Sequence, residues 1–226
     1  MKCVFVSKQN MWSDMLYNQL ETDKRGLQGV EWIRLSTDPD LFIAGLNPDW
    51  VFFFHWSDII PEEIHAQHRC VGIHTSVLPD GKGGSPLQNQ ILEGIMKSRV
   101  NALAMVNELD SGPIYCSEEV TLQGSIFDIW TCIVAAAKIL IQKCIRENIT
   151  PVEQEGGGKK YKRRKDNTLP TGEEKELYDL YRFIQMLDGE GYPYANLRVG
   201  DFVFSFSRAK YCDQELLCDV QIRRSK

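Results

Sequence analysis

The chain has 226 residues, of which 43% are hydrophobic and 25% are charged, and its formal net charge is -5. No apolar run approaches the ~20 residues that a membrane-spanning helix needs, so a membrane partner is not expected. The first residues lack the long apolar core of a secretory signal, which predicts a cytoplasmic protein. The acidic balance argues against a nucleic-acid partner. Seven scattered cysteines without a Cys-x-x-Cys pair predict neither a disulfide framework nor a zinc site.

Strand-like and helix-like segments alternate through the first third of the chain. The strand-like segments are 2–7, 30–36, 49–56 and 70–76, and the helical ones between them are 14–20, 40–46 and 61–68. The strands are apolar almost throughout, as in a parallel sheet that is covered on both faces. This pattern predicts an α/β fold with a Rossmann-like, mostly parallel twisted sheet. Such sheets bind their ligands at the carboxyl ends of the strands, where His55 and His74 fall.

The middle of the chain predicts a helix, an edge hairpin and a second helix. Ser85 followed by Pro86 is typical of an N-cap with proline in the first helical position. Segments 99–108 and 113–122 are strand-like and are joined by Leu-Asp-Ser-Gly, which suits a tight turn. We therefore expect a hairpin at the edge of the sheet. Segment 125–148 has apolar residues on more than one face, which predicts a long helix packed against the sheet.

A glycine-rich and basic segment separates this part from the end of the chain. Six of the seven residues from Lys159 to Lys165 are basic, which fits either a solvated linker or an anion site. Beyond it, helical spacing and then alternating strands predict a small C-terminal α+β subdomain. The expected parts are a main domain over 1–150, a linker over 151–172 and the subdomain over 173–226.

The loop Asp-Gly-Lys-Gly-Gly-Ser-Pro at 80–86 has the composition of an anion-binding loop. Glycines let backbone amides approach an anion at a helix N-terminus. The dinucleotide fingerprint does not match, because Pro86 occupies the third glycine position, and no Walker motif occurs in the chain. What remains is a glycine loop that something approaches closely, with Lys82 available to a phosphate group.

All four histidines of the chain are candidates for chemistry. His74 ends a strand beside the glycine loop, and Asp110 lies in a turn that the same sheet can bring alongside, so the two could do acid–base work. His55 is either a core histidine or part of a pocket wall. His65 and His68 lie three residues apart on a predicted helix, but no third ligand has suitable spacing, so no metal is expected.

Two motifs in this chain resemble those of the N-formyltransferases that use 10-formyltetrahydrofolate. The first is His74, Ser76, Leu78 and Pro79 followed by the glycine loop, and the second is the Asp-x-Gly at Asp110, 36 residues after the histidine. The loop is most similar to the amino-sugar branch of that family, particularly enzymes of pseudaminic-acid-type pathways. The family usually has asparagine two positions before the histidine, where this chain has Gly72. Replacements for that donor could be His55, Gln88 or Asn89.

The resemblance implies a function and a set of site residues. The chain would transfer a formyl group from 10-formyltetrahydrofolate, without a metal, to the amine of a nucleotide-linked 4-amino-6-deoxy sugar. His74 and Asp110 would be catalytic. The folate would contact Trp56, Ser57, Asp58, Ile59, Ile60 and Leu109. The acceptor would contact Ser76, Lys82, Gly83, Gly84, Ser85, Gln88, Arg163, Arg164 and Tyr192.

Three alternatives and one further question stay open at this point. Gly72 would also fit a homologue that binds folate or a nucleotide sugar but has impaired catalysis. A formyltransferase that acts on another small amine is the second alternative, and an RNA-binding module that uses the basic segment 159–165 is the third. The sequence leaves open whether the chain forms a homodimer.

Overall fold

The computed structural model describes residues 1–23, 25–36, 39–147, 149–172 and 176–225. In chain order its elements are β1 (Lys2–Val6), α1 (Met11–Glu21), β2 (Glu31–Leu35), α2 (Pro39–Leu46), β3 (Trp50–Phe54), α3 (Glu62–Gln67), β4 (Cys70–Thr75), β5 (Lys82–Gly83), α4 (Pro86–Leu92), β6 (Lys97–Ala104), β7 (Ile114–Thr121), α5 (Ile126–Arg146), β8 (Lys160–Tyr161), α6 (Leu177–Leu187), β9 (Ala195–Val199), β10 (Phe202–Cys212) and β11 (Glu215–Arg224). Residue 148, the last residue of the predicted helix 125–148, lies outside the described residues. So do residues 173–175, with which the predicted C-terminal subdomain begins.

The main sheet has the strand order β2-β1-β3-β4-β6-β7. Its first four strands are parallel, and β6 and β7 add antiparallel at one edge. Every residue of β3 is buried, because helices cover both faces of the sheet. The predicted Rossmann-like sheet with an edge hairpin is confirmed.

Two apolar cores lie on opposite faces of this sheet. The larger core packs α1 and α5 against the strands, with Leu16 and Ile133 at its centre, and the smaller one holds Ile43 of α2 and Ile64 of α3. A capping box between Ser125 and Asp128 fixes the start of α5. The predicted long helix is therefore present.

The turn of the edge hairpin is longer than the sequence indicates. β6 ends at Ala104, whereas the predicted strand continued to residue 108. The nine residues that follow carry Asp110 over the carboxyl end of β4, and Gly112 passes so close to Ala104 that a Cβ there would lie 1.8 Å from the Ala104 carbonyl oxygen. The turn thus depends on glycine at this position.

The C-terminal part contains α6 and the antiparallel sheet β11-β10-β9, which confirms the predicted α+β subdomain. Residues 196–211, whose alternating pattern would suit a single strand, form a hairpin, because the chain reverses at Gly200 and Asp201 between β9 and β10. Phe183, Ile184, Met186 and Ala195 of this part belong to the larger core. The division of the chain into a main domain, a linker and a subdomain stays a prediction.

Ser85 occupies the N-cap position of α4, but it does not cap the helix as predicted. Its backbone is left-handed, with φ 51°, and its side chain accepts no hydrogen bond from the first turn. The Ser85 hydroxyl instead accepts a hydrogen bond from the backbone N–H of Arg164 at 3.1 Å. It therefore joins the loop to the basic segment.

Among the described residues, no helix is long and apolar enough to cross a membrane. The same residues contain no group of three or more histidine, cysteine or acidic side chains that could hold a metal ion.

Candidate active site

A cavity of about 410 Å³ opens at the carboxyl ends of β1, β3 and β4. This is where a parallel α/β sheet is expected to bind its ligand. Its walls come from the strand ends, the glycine loop, the hairpin turn, α5 and the C-terminal part. The lining residues are Lys8, Phe54, His55, Trp56, Ser57, Ile73, His74, Thr75, Gly83, Gly84, Ser85, Pro86, Leu87, Gln88, Leu109, Asp110, Trp130, Arg163 and Tyr192.

His74 and Asp110 face each other in this cavity. His74 Nδ1 lies 3.4 Å from Asp110 Oδ1, and the two side chains are 9% and 16% exposed. His74 Nε2 lies 3.0 Å from the carbonyl oxygen of Gly81. Because a carbonyl only accepts hydrogen bonds, Nε2 carries a hydrogen, and Nδ1 is the nitrogen that can gain or lose a proton toward Asp110.

The position of Asp110 is held by its surroundings. Its backbone is in the left-handed region, with φ 54°, and Gln154 donates hydrogen bonds to the carbonyl oxygens of Asp110 and Gly112 at 2.9 and 2.8 Å. The backbone N–H of Gly83 donates to Asp110 Oδ2 at 2.9 Å. One carboxylate oxygen is thus fixed by the glycine loop, and the other is presented to His74.

The glycine loop is approached by the chain's own basic segment. β5 in the loop pairs with β8, and a Cβ on Gly83 would lie 2.5 Å from the carbonyl oxygen of Tyr161. A Cβ on Gly84 would lie 2.6 Å from the Cα of Arg163. The close approach that the glycines predicted is therefore made by residues 160–163. It follows that these glycines are not by themselves evidence of a phosphate site.

His55 forms part of the cavity wall and makes a single hydrogen bond among the described residues. Its Nδ1 lies 2.9 Å from the amide nitrogen of Asn10. Its ring centroid lies 5.1 Å from that of Trp130. Burial lowers the pKa of His55, and the positive charge of Lys8 lowers it further.

Most of the predicted site residues lie in this cavity. The expected folate contacts Trp56, Ser57 and Leu109 line it, and so do the expected acceptor contacts Gly83, Gly84, Ser85, Gln88, Arg163 and Tyr192. Burial raises the pKa of the Tyr192 phenol, although Gln88 and Arg163 nearby oppose that shift. The functional roles of all these residues stay predictions.

Three residues predicted to contact folate lie outside the cavity lining. Asp58 turns toward solvent and pairs with Lys8 at 3.3 Å. Ile59 is 93% exposed, whereas Ile60 is buried in the smaller core. The turn after β3 therefore contributes only its first residues, because the chain then leads away toward α3.

Three residues predicted to contact the acceptor also lie outside it. Lys82 is 7% exposed, and its ammonium donates to the Ser111 hydroxyl at 3.2 Å, so it fastens the turn that carries Asp110. Ser76 is buried beneath Gly81. Arg164 does not line the cavity, although its backbone N–H bonds to Ser85.

Several lining residues were missed in the sequence. Lys8 follows β1 at the carboxyl edge of the sheet, and the strand-end rule that selected His55 and His74 could have found it. Trp130 lies in the second turn of α5, and its place in the wall depends on how α5 crosses the sheet. No local signal in the sequence indicates that place.

Gly72 lies in β4, two residues before His74, and leaves space beside that strand. A Cβ at this position would have Leu103 and Met105 as its nearest neighbours, both at 3.9 Å. No backbone contact therefore requires glycine here. Because residue 72 is a glycine and has no side chain, any further hydrogen-bond donor in the cavity comes from another part of the chain.

Comparisons with known proteins agree on one family. Residues 36–124 match the family described as Formyl transferase, and residues 164–223 match the one described as Methionyl-tRNA formyltransferase, C-terminal domain. A methionyl-tRNA formyltransferase of Bacillus thuringiensis is 30% identical over 118 residues, which make up 49% of this chain. The chain spans only 38% of the length of that relative.

Solved structures extend the likeness over the whole fold. A methionyl-tRNA formyltransferase from Clostridium thermocellum is 28% identical, with full coverage of both chains and a TM-score of 0.91. HypX from Aquifex aeolicus in complex with tetrahydrofolic acid has a TM-score of 0.69 at 20% identity, covering 92% of this chain and 38% of that one. A sugar N-formyltransferase from a Shewanella species has a TM-score of 0.64 at 16% identity, covering 89% and 94%. The chain thus carries the N-terminal and C-terminal domains of the formyltransferases over residues 36–124 and 164–223, and the structures below 25% identity show the shared fold alone.

Proposed function

We propose that this protein transfers a formyl group from 10-formyltetrahydrofolate to a primary amine. The observation that carries the proposal is the His74–Asp110 pair, which is held by the glycine loop and the hairpin turn inside the cavity of about 410 Å³. A titratable pair in such a position is suited to proton transfer during acyl transfer.

The lining of the cavity fits a folate. Phe54, Ile73, Leu87 and Trp130 provide apolar and aromatic surface for a flat ring system, and Leu109 adds an apolar rim that is 65% exposed. The HypX structure with tetrahydrofolic acid supports the choice of ligand.

10-Formyltetrahydrofolate supplies an activated formyl group, and the residues of this chain manage the protons. An amine must lose a proton as it becomes an amide, and the leaving nitrogen must gain one. His74 Nδ1 and Asp110 can hold and return such a proton, because the Gly81 carbonyl fixes the hydrogen on Nε2. Positioned proton transfer contributes roughly a hundredfold to ten-thousandfold to a rate.

The acceptor that fits best is a nucleotide-linked amino sugar. Arg163 provides a guanidinium that suits a diphosphate, and Tyr192 provides an aromatic ring for stacking on a base or sugar. Gln88, whose amide forms a hydrogen bond with Tyr192, also lines the cavity and is 5% exposed. The sugar N-formyltransferase from Shewanella, similar in fold, supports an acceptor of this class.

Methionyl-tRNA is the second candidate acceptor. Residues 164–223 match the C-terminal domain of methionyl-tRNA formyltransferase, and the Clostridium thermocellum structure of that name covers the whole chain. The net charge of -5 weighs against it, since binding to RNA gains affinity from the release of counterions by basic residues.

The test is a transfer assay with purified protein, 10-formyltetrahydrofolate and three acceptors. These are a nucleotide-linked 4-amino-6-deoxy sugar, methionyl-tRNA and a simple amine, and mass spectrometry would detect the added formyl group. We expect transfer to the sugar nucleotide, and at least a hundredfold lower turnover in His74→Ala and Asp110→Ala with the fold retained. Transfer only to methionyl-tRNA would support the second candidate. Absence of transfer to any acceptor would refute the proposed function.

A further inference from the structure

His55 is the cavity imidazole that the His74–Asp110 pair does not use. Its backbone lies in the left-handed region, with φ 52°, which is uncommon for a residue other than glycine and is found often at functional sites. Phe54 pairs with Ile73 in the ladder between β3 and β4. His55 directly follows Phe54, and His74 directly follows Ile73, so the two histidines start from neighbouring positions at the carboxyl edge of the sheet.

Asn10 fixes which nitrogen of His55 carries the hydrogen. As the N-cap of α1, Asn10 accepts a hydrogen bond on Oδ1 from the backbone N–H of Ser13 at 3.0 Å. Its amide nitrogen donates to the Lys8 carbonyl at 3.1 Å and lies 2.9 Å from His55 Nδ1. Because that nitrogen can only donate, Nδ1 must accept. A neutral His55 therefore carries its hydrogen on Nε2.

This N–H group is available to a ligand. Burial and the charge of Lys8 favour the neutral ring. Within the described part of the chain, no residue forms a hydrogen bond to Nε2, although the ring lines the cavity beside Trp130. The cavity thus contains a fixed, neutral donor in addition to the pair that handles protons.

We propose that His55 Nε2–H donates a hydrogen bond to the formyl oxygen during transfer, which makes His55 a second catalytic residue. The inference rests on the proposed function. When the acceptor amine forms its bond to the formyl carbon, the electron pair of the carbonyl π bond moves onto the oxygen. When that double bond re-forms, the bond to the donor nitrogen breaks, and this nitrogen takes the electron pair and a proton while the amine loses one. A neutral imidazole stabilises the charged oxygen without giving up its own proton.

The tautomer can be measured by long-range ¹⁵N–¹H NMR, since the chain has only four histidines and His55→Gln assigns the signals of His55. We expect the Nε2–H tautomer at pH 7. Asn10→Asp keeps an acceptor for the Ser13 N–H but places an oxygen against Nδ1, so His55 should change to the Nδ1–H form or to the cation. An Nδ1–H tautomer in the unaltered protein would overturn the proposal.

Steady-state kinetics test the catalytic role. We expect His55→Phe to lower kcat about a hundredfold, as loss of one oxyanion donor does, with less than a threefold change in KM for the formyl donor. His55→Gln should recover part of the loss, and Asn10→Asp should lower kcat at least tenfold. The control is His68→Phe, at the end of α3 and outside the cavity, which should match the unaltered protein.

The outcomes separate this inference from the proposed function. If the unaltered protein transfers formyl groups and the folded His55→Phe variant keeps kcat within threefold, His55 has no catalytic role and the proposed function stands. If His55→Phe does not fold, His55→Gln and Asn10→Asp decide, and unchanged kcat in both would overturn the inference. If the unaltered protein transfers no formyl group, both proposals fall.

Discussion

The neutral state of His55 links the active site to the stability of the fold. Burial beside Phe54 and Trp130 and the charge of Lys8 lower its pKa below the ordinary value of 6.5. An unfolded chain takes up a proton at this position below pH 6.5, whereas the folded protein resists it. Acidification through this range therefore favours the unfolded state, and the contribution of His55 to stability falls with pH.

We predict that the unaltered protein loses more free energy of unfolding between pH 7 and pH 5.5 than His55→Gln does, by up to about 1 kcal/mol if folded His55 takes up no proton in that range. Urea unfolding at both pH values would measure the difference. The other three histidines are common to both proteins and cancel in the comparison. If the two proteins lost equal free energy of unfolding, His55 would take up its proton in the folded protein as it does in the unfolded chain, which would contradict the prediction.

The sequence predicted the His74–Asp110 pair for a physical reason. Both residues lie at ends or turns of one sheet, where topology alone brings side chains together. The role of Lys82 was not predictable in the same way. Its ammonium could reach a ligand or the Ser111 hydroxyl, and the choice depends on the path of the hairpin turn, which is longer than the local turn signal indicates.

At the scale of elements, the glycine loop and the basic segment form one unit. β5 and β8 pair, Lys159 forms an ion pair with Glu93 at 2.6 Å, and Lys160 forms one with Glu108 at 2.8 Å. The sequence indicated both segments separately but not their pairing, because about 75 residues lie between them. This pairing places Arg163 at the cavity, and it keeps the glycine loop against Asp110.

We predict that Gly83→Ala weakens the pairing between the glycine loop and the basic segment. The added Cβ would lie 2.5 Å from the Tyr161 carbonyl oxygen, on a backbone with φ 103°. The free energy of unfolding should fall by about 1–3 kcal/mol, and trypsin should cut the basic segment faster. The matched control is Gly157→Ala, since nothing lies within 4 Å of its Cβ position. Equal stability and equal cleavage of the two variants would contradict the conclusion that the glycine loop and the basic segment form one unit.

At the scale of the molecule, the active site and the core both combine distant parts of the chain. Tyr192 lines the cavity that His74 and Asp110 share. The backbone N–H of Met11, at the start of α1, donates to the Glu190 carboxylate at 2.7 Å. The apolar positions of α6 were predictable from their helical spacing. Their partners were not, because spacing shows which face of a helix is buried but not what covers it.

We predict that a fragment ending at residue 150 does not fold cooperatively. It would lose Phe183, Ile184, Met186 and Leu187, all 6% exposed or less, from the larger core. Burial of each such side chain stabilises a protein by roughly 1.5–3 kcal/mol, so their combined loss is comparable to the typical total of about 5–15 kcal/mol. Circular dichroism and thermal unfolding would measure the result. The matched control is a fragment ending at residue 213, which lacks β11. Of that strand, Leu216 and Cys218 pack partly buried against the larger core, whereas Leu217, Val220 and Ile222 are exposed, so this fragment should still unfold cooperatively. Cooperative unfolding of the 1–150 fragment would instead establish it as a separate domain, with the C-terminal part docked upon it.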